Sequence, residues 1–152
     1  MELKLNNVYQ NIADNLKEMI QEDWREIYLY AELGEGSQTT YFFYYPKGSD
    51  EPIYSHDIPE LFEVSEQSYL VLLHKQLECF RKLLDVFIEN KQELWTSLTL
   101  HLDHDGKFEI DYGYEDILTV DPYEQQVIWE YKYLGVISED EYNKKIIKKF
   151  LY

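Results

Sequence analysis

Four residues, Asp103-His104-Asp105-Gly106, separate two runs in which apolar residues recur at every second position. Leu98, Leu100 and Leu102 stand on one side of them, and Phe108, Ile110 and Tyr112 on the other. An Asp-Gly pair between alternating runs is a strong signal for a tight antiparallel hairpin, because glycine readily takes the left-handed backbone such turns require. Alternation then assigns the faces. The six apolar residues share one side, and Thr99, His101, Glu109 and Asp111 share the other, provided no bulge intervenes. A hairpin with one apolar face is not stable alone, so the rest of the chain must cover it.

The cover is legible in the flanking segments. Leu5, Val8, Ile12, Leu16, Met19 and Ile20 follow the three-or-four spacing of an amphipathic helix. Ile27, Leu29, Ala31 and Leu33 alternate with Tyr28, Tyr30 and Glu32, so a strand follows. Gly34-Glu35-Gly36-Ser37 reads as a turn into an aromatic-rich strand from Thr39 to Tyr45. Pro46 to Pro52 is a polar turn before a short third strand around Ile53-Tyr54. Ser65 is placed to cap the longest helix, Glu66 to about Asn90, with the apolar stripe Tyr69, Leu73, Leu77, Phe80, Leu84 and Phe87. That stripe is expected to lie over the hairpin. Asp121-Pro122-Tyr123-Glu124 is a helix start, with proline at the first helical position. Ser138-Glu139-Asp140-Glu141 reads as a capping box opening a final helix. The order α-β-β-β-α-β-β-α-α, with hairpin connections, predicts an α+β fold: an antiparallel sheet of about five strands packed with helices. A chain of 152 residues is expected to make this a single domain, residues 1–152.

Charge narrows the function. Thirty Asp and Glu against 14 Lys and Arg give a net charge of −16, while 45% hydrophobic residues exclude a disordered acidic chain. Nucleic acid is an implausible ligand, since phosphates demand a basic patch. An anionic membrane surface is disfavoured by the same sign. No window offers the apolar length of a membrane span, and the N-terminus lacks a cationic stretch followed by an apolar run. A cytoplasmic location is the expectation. The lone Cys79 excludes an intramolecular disulfide and a cysteine-based zinc site, and its apolar neighbours suggest a buried structural thiol.

Candidate chemistry is sparse. Aligning Gly106 with the invariant glycine of a calcium loop places His101 first and Tyr112 last, so both end carboxylates are missing. His101, Asp103, His104 and Asp105 supply too few fixed ligands for a closed transition-metal site. His56 and Asp57 are adjacent on a segment read as extended, where neighbours point to opposite sides. His74 reads as a surface residue. No catalytic residue, metal or cofactor is expected. The carboxylates are more informative. Residues 101–124 carry net −7, residues 22–63 carry net −8, and residues 142–152 hold four lysines and no acid. Like charges crowded on strands and turns repel one another, and a basic partner surface would turn that cost into attraction.

Several blocks together resemble a known family. They are Leu3 to Ile20, Trp24 to Glu32, Ile53 to Phe62, Glu93 to Leu100, Asp105-Gly106-Lys107-Phe108, and Ile128 to Gly135. In this order they resemble the YezG-like antitoxin and immunity proteins of Gram-positive bacteria, to which EsaG also belongs. The resemblance spans essentially the whole chain. It implies a non-enzymatic protein that binds and neutralises a cognate nuclease toxin of the LXG or related polymorphic type, exported by type VII secretion. It carries over no catalytic residue. A nuclease domain must be basic around its substrate groove, so the charge points the same way. The residues best placed to meet it are Glu109, Asp111, Glu115 and Asp116, where carboxylates cluster after the hairpin turn, with Asp57 and Glu60 as a second group. Two rival readings are a secretion chaperone that holds its client without inhibiting it, and a carboxylate enzyme built on Asp103, Asp105 and His101.

Overall fold

The alternating runs become the strands of one antiparallel sheet. In a computed structural model, which describes residues 1–152 other than Glu35 and Ser138, these are β1 (Trp24–Gly34), β2 (Ser37–Pro46), β3 (Ile53–Tyr54), β4 (Ser97–Asp103) and β5 (Phe108–Gly113). Their order across the sheet is β3-β2-β1-β4-β5. Helices α1 (Glu2–Met19), α2 (Ile58–Leu61) and α3 (Glu66–Glu89) belong with them to a compact unit, Met1–Glu115. A second unit, Asp116–Tyr152, contains α4 (Pro122–Leu134) and α5 (Glu141–Leu151). The α+β class and the element order agree with the sequence reading, with short helical turns added at residues 55–61 and 117–119.

The hairpin is in the expected register. Leu98 faces Tyr112, Leu100 faces Ile110 and Leu102 faces Phe108, without a bulge. This apolar row continues across the sheet through Leu29 and Phe42, and through Ile27 and Tyr44. Ile12, Leu16 and Met19 of α1 and Phe80, Leu83 and Phe87 of α3 pack onto it as one core. Full burial of each such side chain contributes roughly 1.5–3 kcal/mol. The Asp103 carboxylate accepts from the Asp105 and Lys107 backbone N–H groups at 3.0 and 2.9 Å, and Gly106 has φ +88°. The turn therefore accounts for the residues that superficially suggested a calcium loop.

The stripe of α3 is displaced from the one expected. Leu73, Leu77 and Leu84 are half-buried, and the most enclosed residues are Gln76, Phe80 and Leu83, all at 0% exposure. A glutamine at the centre of a core must have its hydrogen bonds satisfied, or its burial is costly. Gln76 Oε1 accepts from the Thr40 hydroxyl at 2.9 Å, and its Nε2 donates to Asn15 Oδ1 at 3.0 Å. Asn15 Nδ2 in turn donates to the Leu72 carbonyl at 2.9 Å. This polar chain fastens α1, α3 and β2 to one another.

Other departures have local causes. Residues 55–57 form a 3₁₀ turn running into α2, not an extended segment, with Pro59 near the start of that helix. Ser65 caps α3 as expected, its side chain accepting the Ser68 N–H. Cys79 is half-buried at the flank of the core rather than enclosed, and burial raises its thiol pKa. In the second unit Asp121 caps α4 through the Glu124 N–H, and Gly135 (φ +67°) ends that helix in the left-handed conformation. The capping box assigned to Ser138 lies outside the described residues in part. The cap observed on α5 is Asp140, which accepts from the Tyr142 and Asn143 N–H groups. The core of this unit is Val127, Ile146 and Ile147, flanked by Ile128 and Tyr131. No helix among the described residues is long and apolar enough to cross a membrane.

Candidate functional site

Helices α1 and α3 cover one face of the sheet, and the residues of opposite parity form the other. On β1 these are Glu26, Tyr28, Tyr30 and Glu32, and on β2 Thr39, Tyr41, Phe43 and Tyr45. Tyr54 of β3, His101 of β4, and Glu109 and Asp111 of β5 complete the row. The centre is aromatic. Tyr30 lies 5.3 Å from Tyr41 and Phe43 lies 4.9 Å from Tyr54, centroid to centroid. Tyr30, Tyr41 and Phe43 are buried. Carboxylates border this band: Glu32 accepts from the Tyr30 hydroxyl at 2.7 Å.

At the end of the sheet near the 103–106 turn the acids and rings are knitted together. Glu26 accepts from Arg25 Nη1 at 2.7 Å and lies 3.2 Å from His101 Nε2. His101 stacks on Tyr28 at 4.4 Å, and the Arg25 guanidinium sits 4.8 Å over the Tyr45 ring. A shift of register between Trp24 and Glu26 interrupts the alternation of β1 beside Arg25. Burial, then the hydrogen bond and charge of Glu26, push the Tyr28 phenol up to about 12. Arginine, tyrosine and histidine held this way lose little further freedom on binding, which is how rigid anchors at protein interfaces gain affinity.

The six residues singled out from the sequence fall in different places. Glu109 and Asp111 are neighbours on the same face of β5, both exposed. Lys107 lies 3.5 Å from Glu109 and is itself exposed, so the pair has small energetic weight. Glu115 follows the strand and is exposed, with its carbonyl accepting from Thr96 Oγ1 at 2.6 Å. Asp116 belongs to the second unit, where its carboxylate accepts the Leu118 N–H at 3.0 Å and caps the turn at 117–119. Asp57 and Glu60 are exposed beside β3, at the opposite edge. Four strand spacings, about 19 Å, separate β3 from β5. The first group thus contains one compact pair, and the second group is remote from it.

The residues of the rival enzyme are drawn into other roles. His101 has Glu26 as its polar partner, Asp103 holds the turn, and Asp105 lies 3.4 Å from His104. Among the described residues no group of three His, Cys, Asp or Glu side chains is placed to hold a metal ion. The knot of Arg25, Glu26, Tyr28 and His101 was not singled out from the sequence. Alternation puts Tyr28 and His101 on this face, but the pairing of Glu26 with His101 joins positions 75 residues apart.

A family model described as "Immunity protein YezG-like" matches residues 5–148. The immunity protein YezG of Bacillus spizizenii is 40% identical over 150 residues, covering 97% of this chain and 91% of that protein. The immunity protein YezG of Bacillus subtilis is 39% identical over 149 residues, covering 97% and 99%. The type VII secretion system protein EsaG of Staphylococcus aureus is 28% identical over 150 residues, covering 97% and 92%.

Proposed function

Because this chain belongs to the YezG-like family of immunity proteins, we propose that it binds a cognate nuclease toxin in the cytoplasm and neutralises it without chemistry of its own. The supporting observation is the exposed carboxylate pair Glu109 and Asp111, on a chain of net charge −16. A nuclease must hold phosphates with Lys and Arg, so its substrate groove presents the opposite sign. Long-range attraction steers the two proteins together, and occupation of the groove excludes the nucleic acid. The aromatic residues at the 103–106 end of the sheet supply the apolar anchors that usually dominate binding energy.

The test is a cleavage assay with the nuclease domain of the proposed cognate toxin. Stoichiometric addition of the chain is expected to abolish that domain's cleavage of its nucleic-acid substrate, with naked DNA and naked RNA offered separately. Unchanged cleavage at saturating concentration sinks the proposal. The name of the staphylococcal relative, a secretion system protein, favours a second reading in which the same surface holds a client for export. In that case the complex forms and the toxin domain still cuts.

A further inference from the structure

The two edges of the sheet differ. At the β3 edge the strand has only two residues, and the buried Ser55 hydroxyl accepts the Phe42 N–H at 3.0 Å, closing the ladder where β3 runs out. At the other edge β5 has six residues, and among the described residues its only strand neighbour is β4. The direction of its hydrogen bonds follows from the turn. The Asp103 N–H donates to the Lys107 carbonyl at 3.0 Å, so odd-numbered residues of β5 bond to β4. The His104 N–H donates to the Arg25 carbonyl at 3.1 Å, which independently directs the even-numbered residues of β4 toward β1. The backbone N–H and C=O groups of Phe108, Ile110 and Tyr112 therefore point away from the sheet.

This edge is also held in place. Tyr9 packs 5.0 Å from Phe108, Phe87 packs 5.1 Å from Tyr112, and the Tyr9 and Tyr112 hydroxyls are 3.0 Å apart. A rigid strand whose outward groups have no hydrogen-bond partner among the described residues is a template for another strand. A second copy of this chain is a poor occupant. Two-fold pairing centred on Ile110 would set Glu109 of each copy directly against Asp111 of the other, and like charges directly opposite are destabilising. A strand bearing Lys or Arg at those positions meets both carboxylates favourably.

We propose that β5 is the docking edge: an extended segment of a basic protein partner adds to it as a sixth strand, with cationic side chains opposite Glu109 and Asp111. This rests on the reading that the partner is a basic toxin domain. The test is amide exchange by NMR on the full chain, free and in complex with the nuclease domain of the proposed cognate toxin. The Ile110 and Tyr112 amides are expected to exchange readily in the free chain and to slow by about 10²-fold or more in the complex. The Glu109 and Asp111 amides, already bonded to β4, serve as internal references. In parallel, Ile110→Pro removes an outward N–H without removing a bond to β4, and is expected to weaken binding by about tenfold or more. Ile110→Val keeps that N–H and is expected to bind like the parent. Free-chain exchange rates at Ile110 and Tyr112 within a complex that still blocks cleavage overturn the edge proposal and leave the neutralising role standing. Slowed exchange in a complex that still cuts supports the edge and removes the neutralising role. Absence of any complex removes both.

Discussion

Gln76 is the residue on which the packing of three elements converges. It is fully buried, and its amide is paired with Thr40 and Asn15. Gln76→Ala removes both partners' bonds and leaves a cavity, so a loss of about 2–4 kcal/mol in unfolding free energy is expected from urea titration. A change below about 0.5 kcal/mol would show that the network is not a fastening point. The tyrosines give a second residue-scale test. Tyr28 is pushed up to about 12 from its ordinary 10.0, first by burial and then by Glu26. Tyr30, Tyr44 and Tyr112 are also raised, first by burial and then by hydrogen bonds to Glu32, Glu22 and Tyr9 respectively. Well below pH 10 these phenols are protonated in both folded and unfolded chains. Between pH 10 and 12 the unfolded chain gives up protons that the folded chain keeps, so stability must fall as pH rises through that window. Phenolate absorbance followed together with circular dichroism is expected to show a group of tyrosines that ionise only as the chain unfolds. If all 15 tyrosines ionise near pH 10 while the native spectrum persists, this account of their burial is wrong.

Among the elements, the β4–β5 hairpin depends most visibly on single residues. Gly106 sits at φ +88°, in the region where a Cβ is strained, although nothing lies within 4 Å of the position it would occupy. Gly106→Ala is expected to cost about 1–2 kcal/mol through backbone strain alone. Asp103→Ala forfeits two hydrogen bonds to the turn and is expected to cost about 1 kcal/mol. Equilibrium unfolding checks both, and a Gly106→Ala variant as stable as the parent would mean that the turn relaxes freely. This hairpin was legible because Asp-Gly and strict alternation state turn, register and facing together. The α3 stripe was less so. A pattern of leucines at Leu73, Leu77 and Leu84 fits a helix face well, yet the face turned inward passes through Gln76 and Leu83. Polarity alone cannot reveal a glutamine whose partners arrive from α1 and β2. Residues 55–61 were missed because a helix of four residues is shorter than the window over which periodicity can be read. The facing of Glu109 and Asp111 was readable from alternation. Their distance from Asp57 and Glu60 was not, because strand order is set by tertiary pairing.

For the molecule as a whole, charge is the property that acts at a distance. Reversing Glu109 and Asp111 together to Lys is expected to slow association with a basic toxin domain by about tenfold or more at low salt and to flatten its salt dependence. Both residues are exposed, and among the described residues their only ion-pair neighbour is the exposed Lys107, so the unfolding midpoint should barely move. Reversal of Lys144, Lys145, Lys148 and Lys149 is expected to leave neutralisation intact. Stopped-flow association at several salt concentrations checks these expectations. Neutralisation lost with the lysine variant and kept with the carboxylate variant would put the interface elsewhere. The same carboxylates have a consequence for dosage. One sheet edge ends in a strand of two residues and the other sets acid against acid in a self-pair, so copies of this chain have little tendency to polymerise edge to edge. A cell can therefore stockpile the protein, and by mass action a stockpile in excess of its toxin keeps the free toxin scarce.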